Sequence, residues 1–190
     1  VGSNGYLSVY YCVFYSIHSF EADSKGAALH VITDNNIDPS FKDSIQIYNS
    51  DFYDCHSNAG SAIYIESTET SRLFEIYQCT FSKNNGDQNT GGRSNTDSKG
   101  GAIYVNAPTA SVSIRKSLFD GNEAGTGGAI YYVSGTSTRS SSETLLDTAE
   151  EDKQYSLHAV DCKFISNTAS SDGSSIYISV GDVAGHKPVD

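Results

Sequence analysis

Apolar residues fall along this chain in short runs that alternate with polar ones, and the runs come back almost letter for letter. "GAALHV" at 26–31 returns as "GSAIYI" at 60–65, "GGAIYV" at 100–105, "GGAIYY" at 127–132 and "GSSIYI" at 173–178. A second phrase precedes each copy: "CVFYSI" at 12–17, "SDFYDC" at 50–55, "CTFSKN" at 79–84, "SLFDGN" at 117–122 and "CKFISN" at 162–167. The Phe-to-Phe spacings are 38, 29, 38 and 45 residues, so the shortest is close to a bare unit and the excess is insertion. No stretch keeps helical apolar spacing beyond about two turns. The acidic segment "SSSETLLDTAEEDKQ" at 140–154 reads as a short helix or a loop.

Two or three short strands per unit cannot bury a face alone. Stacked units can, because equivalent positions then lie above one another at the inter-strand spacing of about 4.8 Å. Each inward position becomes a column, and neighbouring units share one core. The pattern predicts an all-β fold, a right-handed parallel β-helix of about five coils. Residues 1–190 read as a single domain with insertions at 32–44, 85–99 and 134–156.

The columns follow from the alignment. Phe14, Phe52, Phe81, Phe119 and Phe164 form an inward aromatic ladder. Leu29, Ile63, Ile103, Ile130 and Ile176 form a second inward column; Val31, Ile65, Val105, Tyr132 and Ile178 lie two residues on, on the same face. Val9, Ile47, Ile76, Ile114 and Ala159 lie five residues before each Phe. Five is odd, so a bend must separate the two positions. Asn84, Asn122 and Asn167 follow the Phe by three and are expected to form an amide ladder at a corner. The first glycine of each pair marks a corner with positive φ. Outward on the same strands, His30, Tyr64, Tyr104, Tyr131 and Tyr177 form an exposed aromatic stripe. It serves either as cross-strand stacking or as a platform for a sugar or a protein.

Composition narrows the chemistry. Twelve Lys and Arg against 23 Asp and Glu give a formal charge of −11, which argues against nucleic acid and anionic membrane as partners. No apolar run approaches the roughly 20 residues of a membrane span. The chain has no Met, which reads as a processed product or a piece of a longer protein. Cys12, Cys79 and Cys162 share one column two residues before the Phe, in alternate coils. Two coils separate them by about 9.6 Å, beyond the roughly 7 Å that a disulfide spans. With Cys55 in the Asn column, four free thiols are expected. No metal site and no cofactor is expected; the histidines look scattered, and Asp34, Asn36 and Asp38 resemble a calcium loop but lack its Gly and its bidentate Glu.

Together, F-x-x-N and G-G-A-I resemble the repeat of the chlamydial polymorphic membrane proteins. "CTFSKN…GGAIYV" and "SLFDGNEAGTGGAIYY" carry the resemblance in full; coils one and two lack the Asn, and the glycine pair is broken in coils one, two and five. The resemblance implies a pectin-lyase-like β-helical surface or secreted domain, often an adhesin segment of a larger protein. The expectation is a non-enzymatic extracellular or cell-surface module that binds a glycan or another protein. A fibre subunit that associates end to end, or continues into a longer chain, is the alternative. A polysaccharide lyase or hydrolase is the third reading. It is disfavoured because Asp51, Asp54, Lys83, Asp120 and Glu123 have scattered repeat offsets.

Overall fold

A computed structural model describes residues 7–19, 21, 23–33, 44–67, 73–86, 97–108, 110–134 and 157–180. Every strand in it is short, and the strands recur coil by coil. Coil one holds β1 (Leu7–Tyr10), β2 (Val13–Tyr15) and β3 (Leu29–Thr33). Coil two holds β4 (Ser44–Tyr48), β5 (Asp51–Tyr53) and β6 (Ile63–Ser67), and coil three β7 (Leu73–Tyr77), β8 (Thr80–Ser82) and β9 (Ile103–Asn106). Coil four holds β10 (Ser111–Arg115), β11 (Leu118–Asp120), β12 (Glu123–Ala124) and β13 (Ile130–Ser134). Coil five holds β14 (Leu157–Val160), β15 (Lys163–Ile165), β16 (Thr168–Ala169) and β17 (Ile176–Val180).

Equivalent strands stack into three five-stranded parallel sheets: β1-β4-β7-β10-β14, β2-β5-β8-β11-β15 and β3-β6-β9-β13-β17. The short β12-β16 pair makes a fourth line, continued by bridges His18↔His56, His56↔Asn85 and Asn85↔Glu123. The register is in step throughout: Phe14↔Phe52↔Phe81↔Phe119↔Phe164 are direct partners. This is a parallel β-helix. The bend demanded by the odd spacing is a corner between two separate sheets, since Val9, Ile47, Ile76, Ile114 and Ala159 belong to the first sheet and the Phe column to the second.

Each coil turns at three left-handed residues. The first corner is Tyr11, Asn49, Gln78, Lys116 and Asp161; the second is Ser16, Asp54, Lys83, Gly121 and Ser166. The third is Gly26, Gly60, Gly100, Gly127 and Gly173, with φ from 53° to 67°. Only the third demands glycine. A Cβ on Gly60 or Gly127 would sit 2.1 or 2.5 Å from the carbonyl oxygen of Ile63 or Ile130, three residues on.

Inside, the Phe rings stack face to face, with centroids 4.7, 4.9, 4.8 and 4.9 Å apart and planes within 7° of parallel. Phe52, Phe81 and Phe119 are fully buried, as are Ile63, Ile103 and Ile130. Phe74 and Val112 join them from the first sheet, and Tyr132 replaces an aliphatic residue in the inward column, its hydroxyl donating to the Ala110 carbonyl at 3.3 Å. Burial of each such side chain contributes roughly 1.5–3 kcal/mol. The end coils are less closed. Phe14 and Phe164 are half-buried, Ala159 is exposed, and the inward Ile178 is 52% exposed.

Polar columns fill the corners. Asn84 Nδ2 donates to Asn122 Oδ1, and Asn122 Nδ2 to Asn167 Oδ1, both at 2.9 Å. Each amide also donates to a Phe carbonyl of the preceding coil, from Asn84 to Phe52, Asn122 to Phe81 and Asn167 to Phe119. The Oδ1 atoms of Asn84, Asn122 and Asn167 accept backbone N–H groups from Cys55, Asn84 and Asn122 respectively, so the ladder is anchored where coil two has no Asn. Ser50 and Ser117, which alternate with the cysteines, accept from the backbone of Cys12 and Cys79. All four cysteines are free thiols.

Two stability outcomes follow. Phe81→Ala should cost about 3–5 kcal/mol in urea unfolding, and Phe14→Ala less than half as much, because coil one is only half-closed. Asn122→Ala strips partners from the buried Asn84 and Asn167 amides and should cost on the order of 1–3 kcal/mol for each polar group left unsatisfied. Thermal melts of Asn122→Ala beside Ser113→Ala, on the outer face of the same coil, test this; equal midpoints would remove the ladder's role.

Candidate functional site

The outer face of the third sheet carries the stripe expected from sequence. His30, Tyr64, Tyr104, Tyr131 and Tyr177 are consecutive register partners on β3, β6, β9, β13 and β17. Tyr64 and Tyr104 stack at 4.9 Å and 1°, Tyr104 and Tyr131 at 5.1 Å and 11°, Tyr131 and Tyr177 at 5.0 Å and 27°; His30 meets Tyr64 edge-on at 5.0 Å. The Lys25 ammonium lies 4.7 Å from the Tyr64 ring centre and 3.5 Å from Glu66, which also accepts from the Tyr64 hydroxyl at 3.1 Å. Lys99 lies 5.3 Å from the Tyr131 ring centre.

The expected exposure does not hold. Tyr64 is 4% and Tyr131 8% exposed, Tyr104 and Tyr177 are half-buried, and His30 alone is open. Stacked neighbours cover ring faces, and a lysine lies over each of the two most buried rings, Lys25 over Tyr64 and Lys99 over Tyr131. A ring that meets its neighbour above and below has no free face, so the inner members offer edges rather than a flat platform for a sugar.

The more exposed tyrosines lie on coil one, on the first sheet, the first corner and the second sheet. Tyr10, Tyr11 and Tyr15 are 41%, 80% and 65% exposed, and Val13 is 71% exposed. Tyr10 packs edge-on against Tyr48, and Tyr48 against Tyr77, while Tyr15 stacks on Tyr53 at 5.2 Å. Tyr10 donates to Gln46 at 2.6 Å and Tyr48 to Glu75 at 2.9 Å. The sequence reading passed over these tyrosines because none fills a column: the Tyr10 position is Tyr in three coils, the Tyr15 position in two and the Tyr11 position in one.

The structure gathers the other candidates only in part. Asp34, Asn36 and Asp38 lie outside the described residues, as do the bodies of the three insertions. A shallow groove at the first corner carries Lys116 and Lys163 with one carboxylate, Asp161; glycoside hydrolysis needs two facing carboxyl groups. Two of the supposedly scattered histidines are neighbours. His18 and His56 sit four residues after the Phe of coils one and two, their rings 4.4 Å apart, and both face Asp54. That shared offset was readable in the sequence. The Asp54 carboxyl is held below the usual carboxylate range, first by the Ser16 hydroxyl at 2.6 Å and then by His56.

The fold and its columns define a solenoid whose outer wall is built of repeated side chains. Within it, the profile of the Chlamydia polymorphic membrane protein repeat matches residues 116–132. That segment runs from the first corner of coil four through Phe119, Asn122 and the Gly127–Gly128 pair into β13. Searches of curated proteins and of solved structures return no match. No helix among the described residues is long and apolar enough to cross a membrane, which leaves β-strand crossing open.

Buried acids set the alkaline limit. Burial pushes the Cys55 and Cys79 thiols from 9.0 to about 11. Burial, with Glu75 and with the adjoining tyrosines respectively, pushes Tyr48 and Tyr104 from 10.0 to about 12. Between these limits the folded chain holds protons that the unfolded chain has released, so stability falls as pH rises above 9. Urea midpoints should decline from pH 8.5 to 11, less steeply in Cys79→Ser; a flat profile would contradict the burial described.

Proposed function

We propose that this chain is a non-enzymatic, cell-surface β-helix module that works by adhesion, holding a protein or glycan partner against its outer wall. The observation that carries this reading is the exposure of Tyr10, Tyr11, Val13 and Tyr15, which fall within six residues of coil one. Tyrosine supplies a large, rigid, amphipathic contact at low entropic cost and is enriched at protein interfaces. The resemblance of coil four to a membrane-protein repeat supports a place at a cell surface. The formal charge of −11 supports a partner that is neither nucleic acid nor anionic lipid.

A second reading, a segment of a fibre or longer solenoid, has its own support. The inward Ile178 is half open, and Phe164 and Ile176 are only partly buried, as though a further coil belonged on coil five.

Glycan and host-protein arrays test the first reading. Retention should fall at least about tenfold in the Tyr11→Ser/Tyr15→Ser double variant and hold in Tyr177→Ser, the far end of the stacked column. Retention untouched by the double change would remove the assignment. Concentration-dependent sedimentation that Ile178→Lys abolishes would favour the fibre instead.

A further inference from the structure

We propose that His18, His56 and Asp54 form a binding site for a divalent first-row transition metal of the zinc type, which staples coil one to coil two. The three side chains come from equivalent stretches, "FYSIH" at 14–18 and "FYDCH" at 52–56, brought into register by the winding. His56 Nε2 lies 2.8 Å from one oxygen of Asp54 and His18 Nε2 3.8 Å from the other. The three candidate ligand atoms all lie within 4.8 Å of one another, the only such group of three or more His, Cys, Asp or Glu among the described residues.

Zinc holds imidazole nitrogen and carboxylate oxygen at about 2.0–2.2 Å, so tetrahedral ligands stand roughly 3.3–3.5 Å apart. The observed distances bracket that separation. Rotation of the exposed His18 ring toward Asp54 and a slight opening of the His56 contact would form the site without moving the backbone. The backbone is already fixed across the two coils: His56 N–H donates to the Ile17 carbonyl and Ser19 N–H to the His56 carbonyl, both at 2.9 Å. The Ser16 hydroxyl donates at 2.6 Å to Asp54 Oδ2, the oxygen that faces His18, and so fixes the carboxylate, the arrangement by which a supporting residue orients a metal ligand.

The ligand types select the metal. Two imidazoles suit zinc, copper, nickel or cobalt and disfavour calcium and magnesium, which take oxygen. Three protein ligands leave a position open, and side-chain exposures of 34%, 35% and 16% for His18, Asp54 and His56 give an ion and a water access to it. One ligand comes from coil one and two from coil two, so the ion would tie a half-closed end coil to its neighbour.

The test uses the tag-free full chain, stripped with chelator, in calorimetric titration with zinc chloride and optical titration with cobalt chloride. One ion per chain is expected, with a cobalt spectrum free of thiolate charge transfer and a rise in Tm on zinc addition. His18→Ala and His56→Ala should weaken binding at least about tenfold and cancel the rise, while His158→Ala, on β14, keeps both. His18→Ala is the deciding variant, because its ring is exposed and its loss leaves the core intact. No binding, binding unchanged in His18→Ala, binding lost in His158→Ala, or thiolate bands in the cobalt complex would each overturn the proposal. None of these outcomes depends on the adhesion reading.

Discussion

Vertical register is the constraint on which the molecule depends. Parallel backbone hydrogen bonds set neighbouring coils one inter-strand spacing apart, and the Phe centroids, at 4.7–4.9 Å, repeat that spacing inside the core. A side chain repeated at that distance meets its own kind. Flat rings stack, amides chain donor to acceptor, and aliphatic groups fill a continuous column. The described residues pack into one hydrophobic core, so a slip of one residue on any strand would turn its inward set outward. On either side of each insertion the flanking strands keep the register, as β8 and β9 do around 85–99.

The corners convert that alignment into a closed winding. Three left-handed residues per coil divide it into three walls, and their chemistry differs with crowding. Tyr11, Asn49, Gln78, Lys116 and Asp161 adopt left-handed φ despite their Cβ, a local cost of roughly 1–2 kcal/mol each that the surrounding pairings offset. At the third corner the carbonyl three residues ahead occupies the space a Cβ would need, and glycine is constant. The repeated GG phrase thus marks the tightest bend rather than a ligand cradle.

Much of the fold was legible because column positions carry the same letters. The Phe, Ile and Asn columns, the corner glycines and the absence of a disulfide all follow from aligning the phrases. Surface properties were less legible. Outward direction could be read from alternation, and on that basis Tyr64 and Tyr131 were expected to be open. Alternation gives the direction of a side chain but not what packs around it, and both rings meet stacked neighbours and a lysine. His18 and His56 show the opposite failure. Their common offset from Phe was present in the sequence, but the pairing with Asp54 needed the corner to aim three side chains at one point.

The alternation of Cys with Ser in one column bears on the order of events during assembly. Cys12, Cys79 and Cys162 end up separated by intervening serine layers, and Cys55 stands at a different corner. The finished stack therefore cannot knit itself with sulfur bridges. A bridge formed earlier, while the polypeptide is still loose, would tie together layers that must part before winding can finish. In an oxidising space such a fold would favour a chain that coils faster than it is oxidised, or one whose thiols are shielded until the layers close over them.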